Sequence, residues 1–251
     1  MLTSEVTKNS RPYFTFVQTM SMHSSYQILD QRKFIQLFEK RMGDLGLSTE
    51  RRAYLRTYKE IFSTIVYADF HLRKFFQAAK YLPGYENTIF IVTGDHRLPE
   101  IPMSTKIDRY HVPLIIFSPM LKTSQHFLSI SSYLDLAPSL LALFQSTGLE
   151  IPDEVPWVGS GLDVATAFRN IHHYPLKQTK GNLHDYISGL YFLSGTQLFK
   201  IRKNMDLASI DDEIVRKRLF DRFSLYRGKN DYVIQTGNLM PPELSDRFNS
   251  R

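Results

Sequence analysis

The sequence predicts an α/β fold in which a mostly parallel sheet is flanked by helices. Two apolar runs, residues 88–93 and 112–119, have the length and the β-branched composition of buried strands. Helical patterns alternate with predicted strands, and crossover connections of that kind favour a parallel sheet. With 251 residues, 43% of them hydrophobic, the chain is long enough to bury a core of this type.

The first predicted element is a strand at residues 13–19. This segment alternates β-branched and aromatic side chains, which is typical of a strand with one buried face. Residues 20–26 follow as the loop at its carboxyl end. Because ligands of open α/β sheets bind outside the carboxyl ends of the strands, this loop is expected at the rim of the active site.

Two helices are predicted before the next strand. A short one is expected around residues 31–41. From residue 48 to residue 80, apolar side chains recur at steps of three or four, which predicts one long helix with Ser48 or Thr49 at its start. A Pro-Gly pair at Pro83 and Gly84 ends this helix and turns the chain into the next strand.

The two central strands are separated by residues 97–111. This segment is polar and interrupted by prolines, so no regular structure is predicted for it. Long connections at the rim of a sheet are more often functional than short ones. The segment is therefore a candidate part of a binding site.

The last third of the chain predicts a small hairpin and two helices. Residues 131–144 have the pattern of an amphipathic helix. Residues 186–193 and 197–202 are expected to pair as a hairpin around a Ser-Gly-Thr turn. Residues 211–235 are expected to be mostly helical, with a break near Gly228.

Composition excludes some functions and leaves others open. The chain has a net charge of +6 and a pI near 9.3, but its basic residues are mixed with acids, so no nucleic-acid partner is expected. The same charge suits an anionic membrane or a phosphate-bearing substrate equally well. The absence of cysteine excludes disulfides and thiolate metal sites. No apolar stretch approaches the roughly 20 residues of a membrane span.

The motif with the clearest chemistry is Gly94, Asp95 and His96, at the end of the first central strand. Its position predicts that Asp95 and His96 face the rim of the sheet. A carboxylate and an imidazole together suit one divalent cation, such as zinc or manganese. Taken alone, the pair is also compatible with ordinary loop residues.

The surroundings of this motif resemble the sulfatase-like enzymes of the alkaline phosphatase superfamily, and in particular their lipoteichoic acid synthase and phosphoglycerol transferase branch. In that family a strand ends in Gly-Asp-His, and a later segment reads Val-Pro-Leu-Ile-Ile, as residues 112–116 do here. The resemblance extends over residues 11–162, including 133–141, which are similar to the helix that follows the second strand.

Five residues are candidates for the site, four of them through the resemblance and Arg97 through its position next to Asp95 and His96. Asp95 and His96 would bind a divalent metal ion, manganese or zinc, with magnesium or calcium as alternatives. His23 would contact the substrate; its alternative is a loop histidine bonded to the backbone. Arg97 would hold an anionic substrate oxygen, or else form a surface salt bridge. His111 would be a further ligand or substrate contact, because many members carry another histidine in this loop.

The resemblance also implies the reaction. It predicts metal-dependent transfer or hydrolysis of phosphoryl or sulfuryl esters with a threonine nucleophile. For this branch, the donor would be an anionic phospholipid such as phosphatidylglycerol, at the extracytoplasmic face of the cell membrane or in the periplasm. Two alternatives stay open: a sulfate-ester hydrolase, and a non-catalytic binding or scaffold module derived from the same fold.

The chain departs from the family pattern at its start. Family members carry an acidic metal ligand and the threonine before the segment that begins here at Arg11, and only ten residues precede Arg11. The expectation is therefore that residues 1–251 are the carboxyl-terminal portion of one sulfatase-like catalytic domain, with the nucleophile and a membrane segment on missing sequence. Within it, residues 1–162 are predicted to form the metal-site core and residues 163–251 a subregion of β-hairpin and helix.

Overall fold

The fold is that of a computed structural model, which describes residues 13–151, 155, 157–177 and 183–238. The chain divides into two compact units. The first contains the residues up to Pro102 together with Val112–Lys122, and the second contains Met103–His111 and the residues from Thr123 onward. The predicted boundary after residue 162 stays a prediction. Residues 1–12, on which the expectation of a missing nucleophile depends, lie outside the described residues.

Three α-helices and one pair of strands form the described part of the first unit. They are α1 (Gln31–Asp44), α2 (Thr49–Arg56), α3 (Lys59–Ala79), β1 (Phe90–Thr93) and β2 (Leu114–Phe117). Helix α1 confirms the helix expected around residues 31–41. It packs on α3 through side chains at steps of four, because these positions share one face of a helix. The packing is aromatic: Phe34 contacts Tyr67 edge to face at 5.0 Å, and Phe38 stacks on Phe62 at 5.4 Å between ring centroids.

The single helix predicted for residues 48–80 is wrong, since the structure has α2 and α3 in its place. Its start is confirmed, because the Ser48 hydroxyl accepts a hydrogen bond of 3.2 Å from the backbone N–H of Arg51. Helix α2 ends at Arg56, and the hydroxyl of the next residue, Thr57, donates to the carbonyl oxygen of Tyr54 at 2.7 Å. Tyr58 then leaves helical geometry at φ −117° and ψ 25°. Hydroxyl contacts of this kind compete with helical geometry, and apolar periodicity does not reveal them.

The strand predicted at residues 13–19 is not formed. The backbone there is irregular, and Phe14 and Phe16 are 79% and 78% exposed. An alternating pattern shows that a segment suits a strand, but a strand also needs a neighbour for its backbone hydrogen bonds.

The sheet also differs from the prediction, because the central strands β1 and β2 pair antiparallel. Phe90 lies opposite Phe117, and Thr93 lies opposite Leu114. A parallel pair requires a crossover, usually through an α-helix. The connection between these strands contains only a short 3₁₀ turn, Lys106–Tyr110, so the chain returns in the opposite direction. The α/β class is confirmed; a parallel sheet is not found among the described strands.

A five-stranded antiparallel sheet dominates the second unit. The elements in chain order are α4 (Leu136–Ser146), β3 (His173–Lys177), β4 (Leu183–Ser188), β5 (Tyr191–Ser194), β6 (Gln197–Ile201), β7 (Leu207–Ser209) and α5 (Glu213–Thr236). Each strand pairs with the next along the chain. The expected hairpin is confirmed as β5 and β6. Residues 186–193 are not one strand, because the chain turns at Gly189, and α5 continues through Gly228 without a break.

The alternation of side chains on β4 and β5 supplies the core on both faces of this sheet. Ile187 and Phe192 contribute to one buried cluster. Tyr186 and Leu193 contribute to the other, which is completed by residues of α5 such as Phe223. Tyr186 stacks on Phe223 with ring centroids 5.3 Å apart. Among the described residues, no helix combines the length and the apolarity needed to cross a bilayer.

Candidate metal and anion site

Asp95 and His96 lie just beyond the end of β1, from which Gly94 separates them. Both side chains are exposed, at 70% for Asp95 and 54% for His96. The Asp95 carboxylate lies beside the imidazole, with 3.7 Å between Oδ2 and Nε2. Its other oxygen accepts the backbone N–H of His96 at 3.0 Å, which fixes the carboxylate relative to the turn. The two side chains therefore present an oxygen and a nitrogen to the same region of solvent.

The orientation of the His96 ring is set by its Nδ1 atom. This atom lies 2.6 Å from the carbonyl oxygen of Arg97. A carbonyl oxygen only accepts hydrogen bonds, so Nδ1 carries the hydrogen and Nε2 has the lone pair. Histidines that bind metal commonly donate their other N–H to a carbonyl group in this way. The distance of 3.7 Å between Nε2 and Oδ2 is too long for a hydrogen bond.

The donor set of Asp95 and His96 fits a divalent cation. One carboxylate oxygen and one neutral imidazole nitrogen are ligands that zinc and manganese accept. The described residues contain no cluster of three or more potential ligands. The pair therefore supplies part of a coordination sphere.

His23 lies next to His96. Their ring centroids are 6.5 Å apart, and the rings meet at 74°. The Nδ1 atom of His23 is 3.0 Å from the carbonyl oxygen of Ser24, so this nitrogen is the donor and Nε2 faces outward. Both sequence interpretations of His23 are compatible with this geometry, because a backbone contact at Nδ1 leaves Nε2 for another partner.

The role of Arg97 as a contact for a substrate oxygen stays a prediction. Its guanidinium group donates to the backbone carbonyl oxygen of Ile101 and thereby closes the turn between them. A guanidinium group carries further N–H donors on its other nitrogens, so a contact with an anion is compatible with this position.

His111 belongs to the second unit. Its side chain is exposed, and its backbone N–H donates to the carbonyl oxygen of Asp108 at 3.2 Å. The role of His111 as a ligand or substrate contact stays a prediction.

A hydrogen bond closes the base of the loop that carries Asp95 and His96. The hydroxyl of Thr93, the last residue of β1, donates to the carbonyl oxygen of Pro113 at 2.7 Å. This bond adds to the backbone pairing of Thr93 with Leu114. The point where the chain enters the loop is thus held next to the point where it returns to β2.

Sequence reasoning missed Tyr26 and Glu100. The hydroxyl of Tyr26 donates to the carboxylate of Glu100, across 74 residues of sequence. Burial, and then this hydrogen bond, raise the pKa of Tyr26 to about 12. Tyr26 also has a positive φ of 56°, which is uncommon for a residue other than glycine. No local sequence signal joins the two residues, because each lies in an irregular loop.

A second polar cluster lies in the interior of the second unit, around Asp135. This carboxylate is fully buried and accepts the N–H groups of Ser132 at 2.9 Å and Ser160 at 3.1 Å. It also accepts the hydroxyl of Tyr174. Burial first, and then the bond to Asp135, raise the pKa of Tyr174. These hydrogen bonds of Asp135 are made inside the protein, and a buried network of this kind stabilises a fold.

His172 and His173 are neighbours in the sequence, but only His172 is buried. Its side chain is only 4% exposed, and its ring stacks on Tyr174 at 5.2 Å. Its Nδ1 atom is 3.1 Å from the hydroxyl of Ser160 and 3.9 Å from Asp135. His173 is exposed. Burial of one neighbour and exposure of the other follow from the alternation of side chains along an extended chain, which polar composition does not reveal.

An α/β fold with a carboxylate and an imidazole just beyond the end of a strand is compatible with a metal-using hydrolase or transferase. A family model described as Sulfatase matches residues 2–146, which is more than half of the chain. The chain therefore belongs to the sulfatase family, within the alkaline phosphatase superfamily. Members of this family are generally enzymes that use divalent metals. Searches of curated proteins and of solved structures found no match.

Proposed function

We propose that this chain supplies metal ligands and substrate contacts to a sulfatase-like site for phosphoryl or sulfuryl esters. The most specific form of the proposal is phosphoglycerol transfer from an anionic phospholipid. The observation that carries it is the pairing of Asp95 with His96. Their oxygen and nitrogen lie 3.7 Å apart, and the carbonyl oxygen of Arg97 turns the Nε2 lone pair outward.

In this proposal, Asp95 and His96 hold a divalent cation, with manganese or zinc favoured over magnesium or calcium. When bound, such a cation lowers the pKa of a nucleophilic oxygen and draws charge from an oxyanion. The family resemblance implies an acidic ligand and a threonine nucleophile before Arg11. This expectation agrees with a pair that fills only part of a coordination sphere.

His23 is proposed to contact the transferred group. A protonated imidazole donates through Nε2 while Nδ1 stays on the Ser24 carbonyl oxygen, and such a donor stabilises charge that develops on a phosphate or sulfate oxygen. Arg97 is proposed to assist with the N–H groups that its contact with Ile101 leaves available.

The proposed substrate partner is an anionic lipid, and the proposed location is the extracytoplasmic face of a membrane or the periplasm. Support comes from the Gly-Asp-His and Val-Pro-Leu-Ile-Ile motifs, which resemble the phosphoglycerol transferase branch, and from the net charge of +6. Membrane attachment through a further amino-terminal segment belongs to the same proposal. A nucleic-acid partner is not part of it.

Isothermal titration of manganese or zinc into the full chain tests the metal site. We expect Asp95→Ala and His96→Ala each to weaken binding by at least about tenfold, because each variant removes one of two ligands. The matched controls are Asp231→Ala and His126→Ala, which make the same changes at exposed positions. Wild-type affinity in both ligand variants would contradict the proposal.

The same metal-loaded chain distinguishes the alternatives. If the activity is phosphoglycerol transfer, glycerol phosphate should bind more tightly than inorganic sulfate. His23→Ala should then weaken the binding of glycerol phosphate. Tighter binding of sulfate would favour a sulfate-ester hydrolase. Retention of the metal with no affinity for either anion would favour a binding or scaffold module.

A further inference from the structure

We infer that Tyr26 and Glu100 form a positioning contact that keeps His23 beside His96. The inference rests on the proposed function, in which the two imidazoles belong to one site. It adds two residues that neither the motif nor the family match assigns.

The contact joins the two loops that carry the imidazoles. Tyr26 follows His23 by three residues, and its backbone N–H donates to the carbonyl oxygen of His23 at 2.8 Å, so the two residues form one turn. Glu100 follows His96 by four residues. The bond from the Tyr26 hydroxyl to the Glu100 carboxylate therefore links the His23 turn to the His96 loop.

The turn that holds Tyr26 is itself anchored to the helices of the first unit. The side-chain amide of Gln31, the first residue of α1, donates to the carbonyl oxygen of Tyr26 at 2.8 Å. The same amide group donates to the hydroxyl of Ser63 on α3 at 3.2 Å. Ser63 is fully buried and donates to the carbonyl oxygen of Glu60 at 2.6 Å. Tyr26 is thus held by packed helices through its backbone and by Glu100 through its side chain.

The Glu100 side of the contact is also braced. Arg97 donates to the carbonyl oxygen of Ile101, which closes the turn that contains Glu100. Each partner of the Tyr26–Glu100 bond therefore belongs to a turn with internal hydrogen bonds. Because these hydrogen bonds already order the two loops, less conformational entropy should be lost when an anion binds.

The Tyr26–Glu100 contact is expected to place His23 beside His96 before an anion binds. His23 is next to His96, with ring centroids 6.5 Å apart. Donors that are already in place stabilise an anion at lower cost than donors that are collected on binding. Loss of the contact should therefore weaken anion binding and leave metal binding by Asp95 and His96 unchanged.

The test measures the affinity of inorganic phosphate for the metal-loaded full chain. We expect Tyr26→Phe and Glu100→Ala each to weaken phosphate binding about tenfold, as for a charge-assisted hydrogen bond. The double variant should be no weaker than either single variant, because both remove the same interaction. Glu100→Gln keeps a carbonyl acceptor and should restore most of the affinity. The matched controls are Tyr81→Phe and Glu86→Ala, which are exposed in the same unit.

A second measurement separates this inference from the proposed function. In NMR spectra of the metal-free chain, we expect cross-relaxation between the rings of His23 and His96 in the wild type and its loss in Tyr26→Phe. Unchanged phosphate affinity in Tyr26→Phe, with metal affinity intact, overturns the positioning role alone. If the wild type binds no metal, the proposed function fails, and the NMR result still decides whether Tyr26 positions His23.

Discussion

The hydroxyl of Tyr174 on β3 donates to the carboxylate of Asp135, whose side chain is fully buried. Asp135 also accepts backbone N–H groups from Ser132 and from Ser160, so one carboxylate joins three separate segments of the second unit. A buried carboxylate with several donors stabilises a fold as long as all of its partners are present.

Removal of this carboxylate should be strongly destabilising. We expect Asp135→Ala to lower the free energy of unfolding by about 3 kcal/mol, because it leaves buried donors unpaired. Tyr174→Phe should cost about 1 to 2 kcal/mol, since it deletes one donor. Urea denaturation followed by circular dichroism measures both effects. Asp211→Ala is the control, because that side chain is 97% exposed. If Asp135→Ala loses no more stability than Asp211→Ala, the network does not have the stabilising role described here.

Gly159 should tolerate no larger residue. A Cβ atom at this position would lie 1.7 Å from the backbone carbonyl oxygen of Leu134, which is far inside contact distance. Because the obstructing atom belongs to the backbone, Gly159→Ala must displace one of the two chain segments. We expect a loss of about 2 to 3 kcal/mol, as for overpacked interiors. The measurement is the midpoint of urea denaturation. A midpoint equal to that of the wild type would contradict the prediction, because it would show that the two chain segments move apart at little cost.

Gly228 should behave in the opposite way. It lies inside α5, and apart from the adjacent backbone of the helix no atom is within 4 Å of the position that a Cβ would take. We expect Gly228→Ala to raise the free energy of unfolding by up to about 1 kcal/mol, because alanine loses less backbone entropy in a helix. Thermal denaturation measures the change. A decrease in stability would contradict this expectation.

The pair of Asp163 and Arg169 should make stability depend on acid pH. Arg169 donates two hydrogen bonds of 2.7 Å to Asp163 and lowers the pKa of that carboxyl group. A depressed pKa in the folded state contributes stability above the ordinary carboxyl pKa, and that contribution is lost as the pH falls through the lowered value. Arg169→Lys should therefore be less stable than the wild type at neutral pH. The difference should shrink as the pH falls below about 4.

Urea titrations at several pH values measure this difference. Arg56→Lys is a matched control, because Arg56 pairs in a similar way with Glu39 but the carboxylate side chain is 35% exposed, against 2% for Asp163. Solvent screens the exposed pair more strongly, so its effect should be smaller. A difference for Arg169→Lys that is independent of pH would show that the pair acts through packing alone.

The sequence predicted those elements that are determined by residues close together along the chain. Helix α1 and the Ser-Gly-Thr turn between β5 and β6 are formed by residues close together in the sequence, and both were predicted. The break at Tyr58 and the antiparallel pairing of β1 with β2 were not. The first depends on side-chain contacts with the backbone, and the second on the path of a long connection.

The same distinction applies to the candidate site. Asp95 and His96 are adjacent in sequence, so their position at the end of an apolar run already predicted a shared location. Tyr26 and Glu100 meet only after folding, and neither residue type marks a site by itself. The burial of His172 likewise depends on Tyr174 and Ser160, which contact it in three dimensions.

The His96 ring takes its orientation from the carbonyl oxygen of the next residue. Every amino acid has that carbonyl group, so substitution of Arg97 preserves the acceptor that holds the imidazole. The hydrogen bond that orients the His96 ring accordingly does not require an arginine at residue 97.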